Sequence, residues 1–239
     1  MAGLVGSEMC IRDSFLLFLL EQYLASSKNL SYFEKKYFLG YFVILSLFAI
    51  VRIYTNYLPY TLDTKTYLSV AESISQKNEF YFFGAFLYSS FIYIIQAITF
   101  NNHYAILFIN NFIFIIALID LLGMIPNNQK KSLWLWSLFL FLYPSIYWFI
   151  PNVLREAVFF LCLVRVLKHS ILIKNSRLIS YNSILLVVFS ILCVALRPQV
   201  LPMIYLWVTF MLFKKSIFNL IFVSLFGVVL FSNDFITSE

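Results

Sequence analysis

Charge is scarce in this chain. Lys, Arg, Asp and Glu together make up 12% of its 239 residues, about half the share of a soluble domain. A water-facing surface of ordinary extent is therefore excluded, and with it a sizeable soluble domain. Glycine and proline are few, six of each, and no Gly/Pro-broken helix pair of the kind that holds transported ions near a bilayer midplane is present. Three cysteines supply neither a disulfide framework nor a zinc site. Cys162 and Cys193 lie in apolar segments without metal-ligand spacing, and Cys10 stands alone near the start. No internal repeat or low-complexity linker interrupts the chain. What remains is hydrophobicity: 62% apolar residues and 20% aromatics, with a mean hydropathy of +0.88. These values are those of an integral membrane protein. The formal charge of +6 sits in small Lys/Arg clusters between apolar runs, the pattern of cytoplasmic membrane loops rather than of a nucleic-acid surface.

The apolar runs are Phe38 to Ile53, Phe82 to Phe100, Tyr104 to Ile125, Leu133 to Ile150, Val153 to Leu167, Ser180 to Leu196, Val200 to Phe213 and Ile217 to Phe231. Basic clusters orient them. With Lys35 and Lys36 on the cytoplasmic side, Lys130/Lys131, Arg165/Lys168/Lys174/Arg177 and Lys214/Lys215 belong there too, which requires an even number of crossings between each pair. From Lys131 onward the count works. Before Lys130 three runs intervene, so one does not cross. Phe82 to Phe100, carrying Tyr81, Tyr88, Ser89, Ser90, Tyr93 and Gln96 in or beside it, is the most polar. The expected fold is an all-α polytopic bundle of about seven spans with amphipathic or re-entrant helices in the first external loop. Residues 15–37 form a cytoplasmic segment, 38–239 the transmembrane domain, and 54–103 that loop.

The loop contains "LPYTLDTKTYLSVAESISQKNEF". Tyr67, Leu68, Val70, Ala71 and Ile74 fall at helical spacing, predicting an amphipathic helix from about Thr64 to Gln76 with Asp63 just before it. Asp63 has two readings that do not exclude each other. As an N-cap its carboxylate would accept backbone N–H bonds and offset the helix dipole. Held at the membrane surface, the same carboxylate would serve as general base toward an acceptor hydroxyl. Glu72 and Glu79 read as the solvated face of this helix.

A first span, an external loop with an acid followed by Tyr and Ala ("DTKTYLSVA"), a semi-apolar stretch and a second span resemble the GT-C membrane glycosyltransferases. The likeness is strongest to the bacterial protein-mannosyltransferase-like and aminoarabinose-transferase-like group, and covers roughly Phe38 to Pro202. That family often pairs two acids at this point, whereas here Asp63 is followed by Thr64. The resemblance implies a bacterial inner-membrane enzyme with its site facing outward. It would perform inverting transfer from a polyprenyl-phosphate sugar, with Asp63 activating the acceptor or coordinating a divalent metal and Tyr67 among the substrate contacts.

Two further constellations belong to the same side. "YPSIYWFIPNVLREAVFF" places Arg155 and Glu156 at the outer start of a span, and "CVALRPQVLP" places Arg197 at an outer turn marked by Pro198. Arg155 and Glu156 fit a mutual or interhelical ion pair, and Arg197 an interfacial anchor. Alternatively both arginines converge on a lipid-linked phosphate, for which the permanently charged planar fork of arginine is suited. Glu156 would then orient an arginine or contact sugar hydroxyls. His103, in "FNNHYA", is an interfacial residue or a substrate or metal contact. Asp120 reads as a local cap or pair, and the tryptophans as lipid-facing belts. An O-antigen or exopolysaccharide polymerase shares the many spans and external arginines, but the large loop lies early here, which favours a GT-C transferase. A transporter or assembly subunit is disfavoured because acids and arginines gather at one face.

The first residues differ from the rest. No basic n-region, apolar core or cleavage site precedes Ser14, so they do not form a secretory signal. Leu4 to Ser14, "LVGSEMCIRDS", resembles the translation of a sequencing-library adapter. Residues 1–14 are therefore read as an artefactual leader on a truncated chain whose natural sequence begins near Phe15, and Cys10, Glu8, Arg12 and Asp13 receive no functional role.

Overall fold

The computed structural model describes residues 15–27, 30–55, 62–75, 83–99, 105–125, 150, 155–173 and 181–212. Among them it is all-helical. The helices are α1 (Phe15–Ser26), α2 (Tyr32–Thr55), α3 (Leu62–Ser75), α4 (Phe83–Ile98), α5 (Ala105–Gly123), α6 (Glu156–Ile173), α7 (Tyr181–Leu196) and α8 (Leu201–Leu212), with a 3-10 turn at Pro198–Val200 between the last two. The chain divides into two compact units, Met1–Leu161 and Cys162–Glu239.

In the first unit α2 begins with a capping box. The Ser31 backbone N–H donates to Glu34 Oε2 (2.6 Å) and the Glu34 N–H to Ser31 Oγ (3.3 Å), which satisfies donors that a helix start leaves unpaired. This starts α2 at Tyr32, ahead of the apolar run at Phe38, so Lys35 and Lys36 ride on its first turns. At 24 residues α2 is about 36 Å long, and α5, at 19 residues, about 28 Å. Both are long and apolar enough to cross a membrane, whose hydrocarbon core is about 30 Å thick.

The two pack along each other. Leu20 and Leu24 from α1, Phe38, Tyr41, Phe42 and Leu45 from α2, and Phe114, Ile115, Leu118 and Ile119 from α5 form one buried cluster. Phe42 meets Phe112 edge-on at 6.5 Å. Asp120, expected to pair locally, instead accepts a hydrogen bond from the Tyr23 hydroxyl of α1 (3.0 Å). The opposite face of α2 exposes Val43, Leu47, Phe48 and Val51. A helix apolar all round belongs in a large protein core or in a membrane.

α4 has 16 residues, about 24 Å, shorter than the hydrocarbon core. It packs along α3 and also meets α5. The polar residues that set this stretch apart in the sequence turn inward: Tyr88, Ser89 and Gln96 are buried, while Tyr93, Ile94 and Ile98 face outward.

In the second unit, α6 runs on through Lys168, His169 and Ser170 to Ile173, so Arg165 and Lys168 are helical and not part of a loop. His169 Nδ1 lies 3.2 Å from Asn182 Oδ1 of α7, and its ring stacks on Phe189. The buried thiols of Cys162 and Cys193 are hydrogen-bonded to each other. α7 buries Ser183 and Ser190 together with Leu186, Cys193, Ala195 and Leu196, and exposes Ile184, Val187, Val188 and Ile191. Its exposed face is thus apolar, and small polar residues between helices are usual where lipid is the solvent. Of the seven expected spans, five positions carry described helices, and two of these helices meet the length and composition of a span. Leu133 to Ile150, apart from Ile150 itself, and Ile217 to Phe231 lie outside the described residues.

Candidate functional site

The helix expected in the external loop is present, but it starts at Leu62, so Asp63 occupies its first turn and does not precede it. Tyr67 follows one helical turn later, about 6 Å along the axis. Thr64, Tyr67 and Ala71, spaced three and four apart, are the buried face of α3, whereas Glu72 is exposed, in keeping with a solvated outer face. The Asp63 side chain lies outside the description.

Against that face stands α4. The rings of Tyr67 and Tyr88 meet edge to face, 5.0 Å between centroids at 80°, the orientation preferred by aromatic quadrupoles. Tyr88 is fully buried. Its hydroxyl accepts a hydrogen bond from Asn110 Nδ2 of α5 (3.0 Å), and burial, Tyr67 and Glu156 together hold its acidity below that of an ordinary phenol. Tyr88 thus stays neutral at any physiological pH.

Arg155 closes the arrangement. Its carbonyl accepts the first bond of α6, from the Phe159 N–H (2.9 Å), which makes it the N-cap position of that helix. Its guanidinium carbon lies over the Tyr67 ring, 6.0 Å from the centroid, at the outer limit of a cation–π contact. Glu156 takes the first helical position, where a carboxylate complements the dipole, and it lies within electrostatic range of Tyr88. Two residues picked from distant segments of the sequence, Tyr67 and Arg155, are therefore brought into contact, with Glu156 beside them and Asp63 one turn away.

Arg197 belongs to the second unit. Its N–H bonds to the Cys193 carbonyl (2.9 Å) and its own carbonyl accepts from Val200 (3.1 Å), so it ends α7 and leads into the turn that Pro198 marks. His103 lies outside the described residues. Among the described residues no group of three His, Cys, Asp or Glu side chains is placed to hold a metal ion.

Several buried polar residues received no site role from sequence reasoning: Tyr88, Asn110, Asn111 and Arg52. Two of them carried a readable signal. "FINNFIF" places two adjacent amides inside an apolar run, and intramembrane polar groups generally mark a packed or functional face. The two amides diverge: Asn110 bonds to Tyr88, whereas neither amide atom of Asn111 has a hydrogen-bond partner among the described residues.

Comparison with protein-family models, curated proteins and solved structures finds no match.

Proposed function

We propose that this protein is an integral membrane glycosyltransferase. It moves a sugar from a polyprenyl-phosphate donor to an envelope acceptor on the non-cytoplasmic side of the bacterial inner membrane. The observation that carries the reading is the contact of Arg155 with Tyr67, one helical turn from Asp63. Arg155, a cation of the kind suited to phosphate, thus lies beside the helix that bears the single candidate base. Both-sided apolarity of α2 and the exposed apolar face of α7 support lipid as the solvent.

The division of labour follows from charge. The acceptor hydroxyl attacks the anomeric carbon of the donor from the face opposite the phosphate, Asp63 takes the hydroxyl proton, and the bond from that carbon to the phosphate oxygen breaks. The electron pair leaves with polyprenyl phosphate, whose growing negative charge Arg155 stabilises in the transition state. The dipole at the start of α6 adds to the same field. Glu156 carries the same sign of charge as the phosphate, so it suits sugar hydroxyls or the orientation of Arg155.

The test uses purified protein in liposomes. Release of polyprenyl phosphate is followed from a panel of polyprenyl-phosphate hexoses and pentoses, with envelope lipids and glycans as acceptors. The wild type is expected to turn over at least one donor, and Asp63→Asn to lose about 10²–10⁴-fold in rate while remaining inserted. Absence of turnover across the panel overturns the transferase reading, and normal turnover by Asp63→Asn overturns the base assignment.

A further inference from the structure

Arg155 is half-buried at a helix end, and a long side chain with many rotamers meets a phosphate squarely only when its contacts restrict it. The ring of Tyr67 lies under the guanidinium, but a tyrosine on a short amphipathic helix is no firmer than what it leans on. It leans on Tyr88, edge to face at 5.0 Å. Tyr88 in turn is the fully buried member of the series, also stacked with Phe91 at 6.0 Å and tied to α5 by the Asn110 amide. The hydroxyl proton of Tyr88 has no acceptor among the described residues, so this hydroxyl is held by the bond it receives. Without that bond the Asn110 N–H would lose its aromatic partner in a place that water does not reach, a costly state.

We infer that Tyr88 and Asn110 form a positioning relay that acts through the ring of Tyr67 to hold the Arg155 guanidinium ready for the phosphate of a lipid-linked ligand. The inference rests on the proposed function for the identity of that ligand. It adds that orientation of the phosphate-binding arginine is set from α5, the long apolar helix, and not from the loop that carries the base. The relay residues touch no substrate and have no part in proton transfer.

Farnesyl phosphate and farnesol serve as probes, because they share the prenyl chain and differ in the phosphate. The ratio of their dissociation constants isolates the phosphate contact from general packing. In the wild type the phosphate is expected to tighten binding by about tenfold or more, and Arg155→Ala to abolish the preference. Tyr88→Phe keeps the ring and the packing but removes the hydroxyl; it is expected to reduce the preference about threefold while leaving farnesol affinity unchanged. Tyr67→Leu should reduce it at least as much, and Tyr67→Phe, which restores the ring face, should recover it. In the Arg155→Ala background Tyr88→Phe should have no further effect, since a residue acting through another is silent once that other is gone.

The outcomes separate the two claims. A wild type that binds both probes equally overturns the proposed function together with the relay. A wild type whose phosphate preference depends on Arg155 but is untouched by Tyr88→Phe and Tyr67→Leu overturns the relay alone. A loss of farnesol affinity equal to the loss of farnesyl phosphate affinity in Tyr88→Phe also overturns it, because that marks a purely structural role.

Discussion

The two sides of α5 are built on different principles. One side, with Phe112, Ile115, Leu118 and Ile119, joins the apolar cluster of α1 and α2. The other bonds through Asn110 to Tyr88, which leads by ring contacts to Tyr67 and Arg155. The first is held by shape and dispersion, in which each atom contributes little and many contribute together. The second is held by a few directional contacts, each with a specific partner. A scaffold of the first kind tolerates conservative exchange, whereas a chain of the second kind fails when one link is shortened. The difference puts close apolar packing on one side of a single helix and a chain of directional contacts on the other.

That division can be broken or sharpened by substitution. The largest effect is expected from Leu45→Ala, which removes a fully buried side chain of α2 and should cost about 2–5 kcal/mol through the cavity it leaves. It should appear as a lower thermal midpoint of the purified protein, with the farnesyl phosphate preference intact in the folded fraction. If the preference fell in parallel with stability, the two sides would not be separable.

A smaller effect is expected from Tyr23→Phe, which deletes the hydroxyl that donates to Asp120 across the α1–α5 contact. The loss should be about 1–3 kcal/mol, the upper part of that range reflecting a carboxylate deprived of a buried donor. Trypsin sensitivity after Lys28 would report release of α1, and an unchanged digestion pattern together with an unchanged midpoint would show the bond to be dispensable.

Smallest, and opposite in sign, is Asn111→Leu. Both amide atoms of this fully buried side chain lack a hydrogen-bond partner among the described residues, so an apolar replacement of similar size should raise stability by about 1 kcal/mol. A decrease would reveal a polar partner and move Asn111 to the directional side of the helix.

Much of this architecture was legible in the sequence because it depends on local pattern. Apolar runs at Phe38 and Tyr104 gave the two long helices, and the spacing of Tyr67 and Ala71 gave α3 and its buried face. Parity of the basic clusters picked out α4 as the unusual stretch, and its length falls short of a span. Pairings between helices were not legible. Nothing in the periodicity of α4 says that Tyr88 meets Asn110, nor does the end of α5 announce that Asp120 is met by Tyr23 of α1. Such contacts depend on how two helices are rotated against each other, and single-chain periodicity fixes only which face of each is apolar. The burial of the polar residues of α4 was not legible either: Tyr88, Ser89 and Gln96 turn inward, a choice of face that the neighbouring helices decide.

The most direct test of the account measures transfer and ligand affinity on one variant. Asp63→Asn removes the proposed base while leaving the Arg155–Tyr67 contact in place. The account predicts that this variant binds farnesyl phosphate within about twofold of the wild type while its sugar transfer falls by about 10²-fold or more. Transfer at the wild-type rate with unchanged affinity would contradict it.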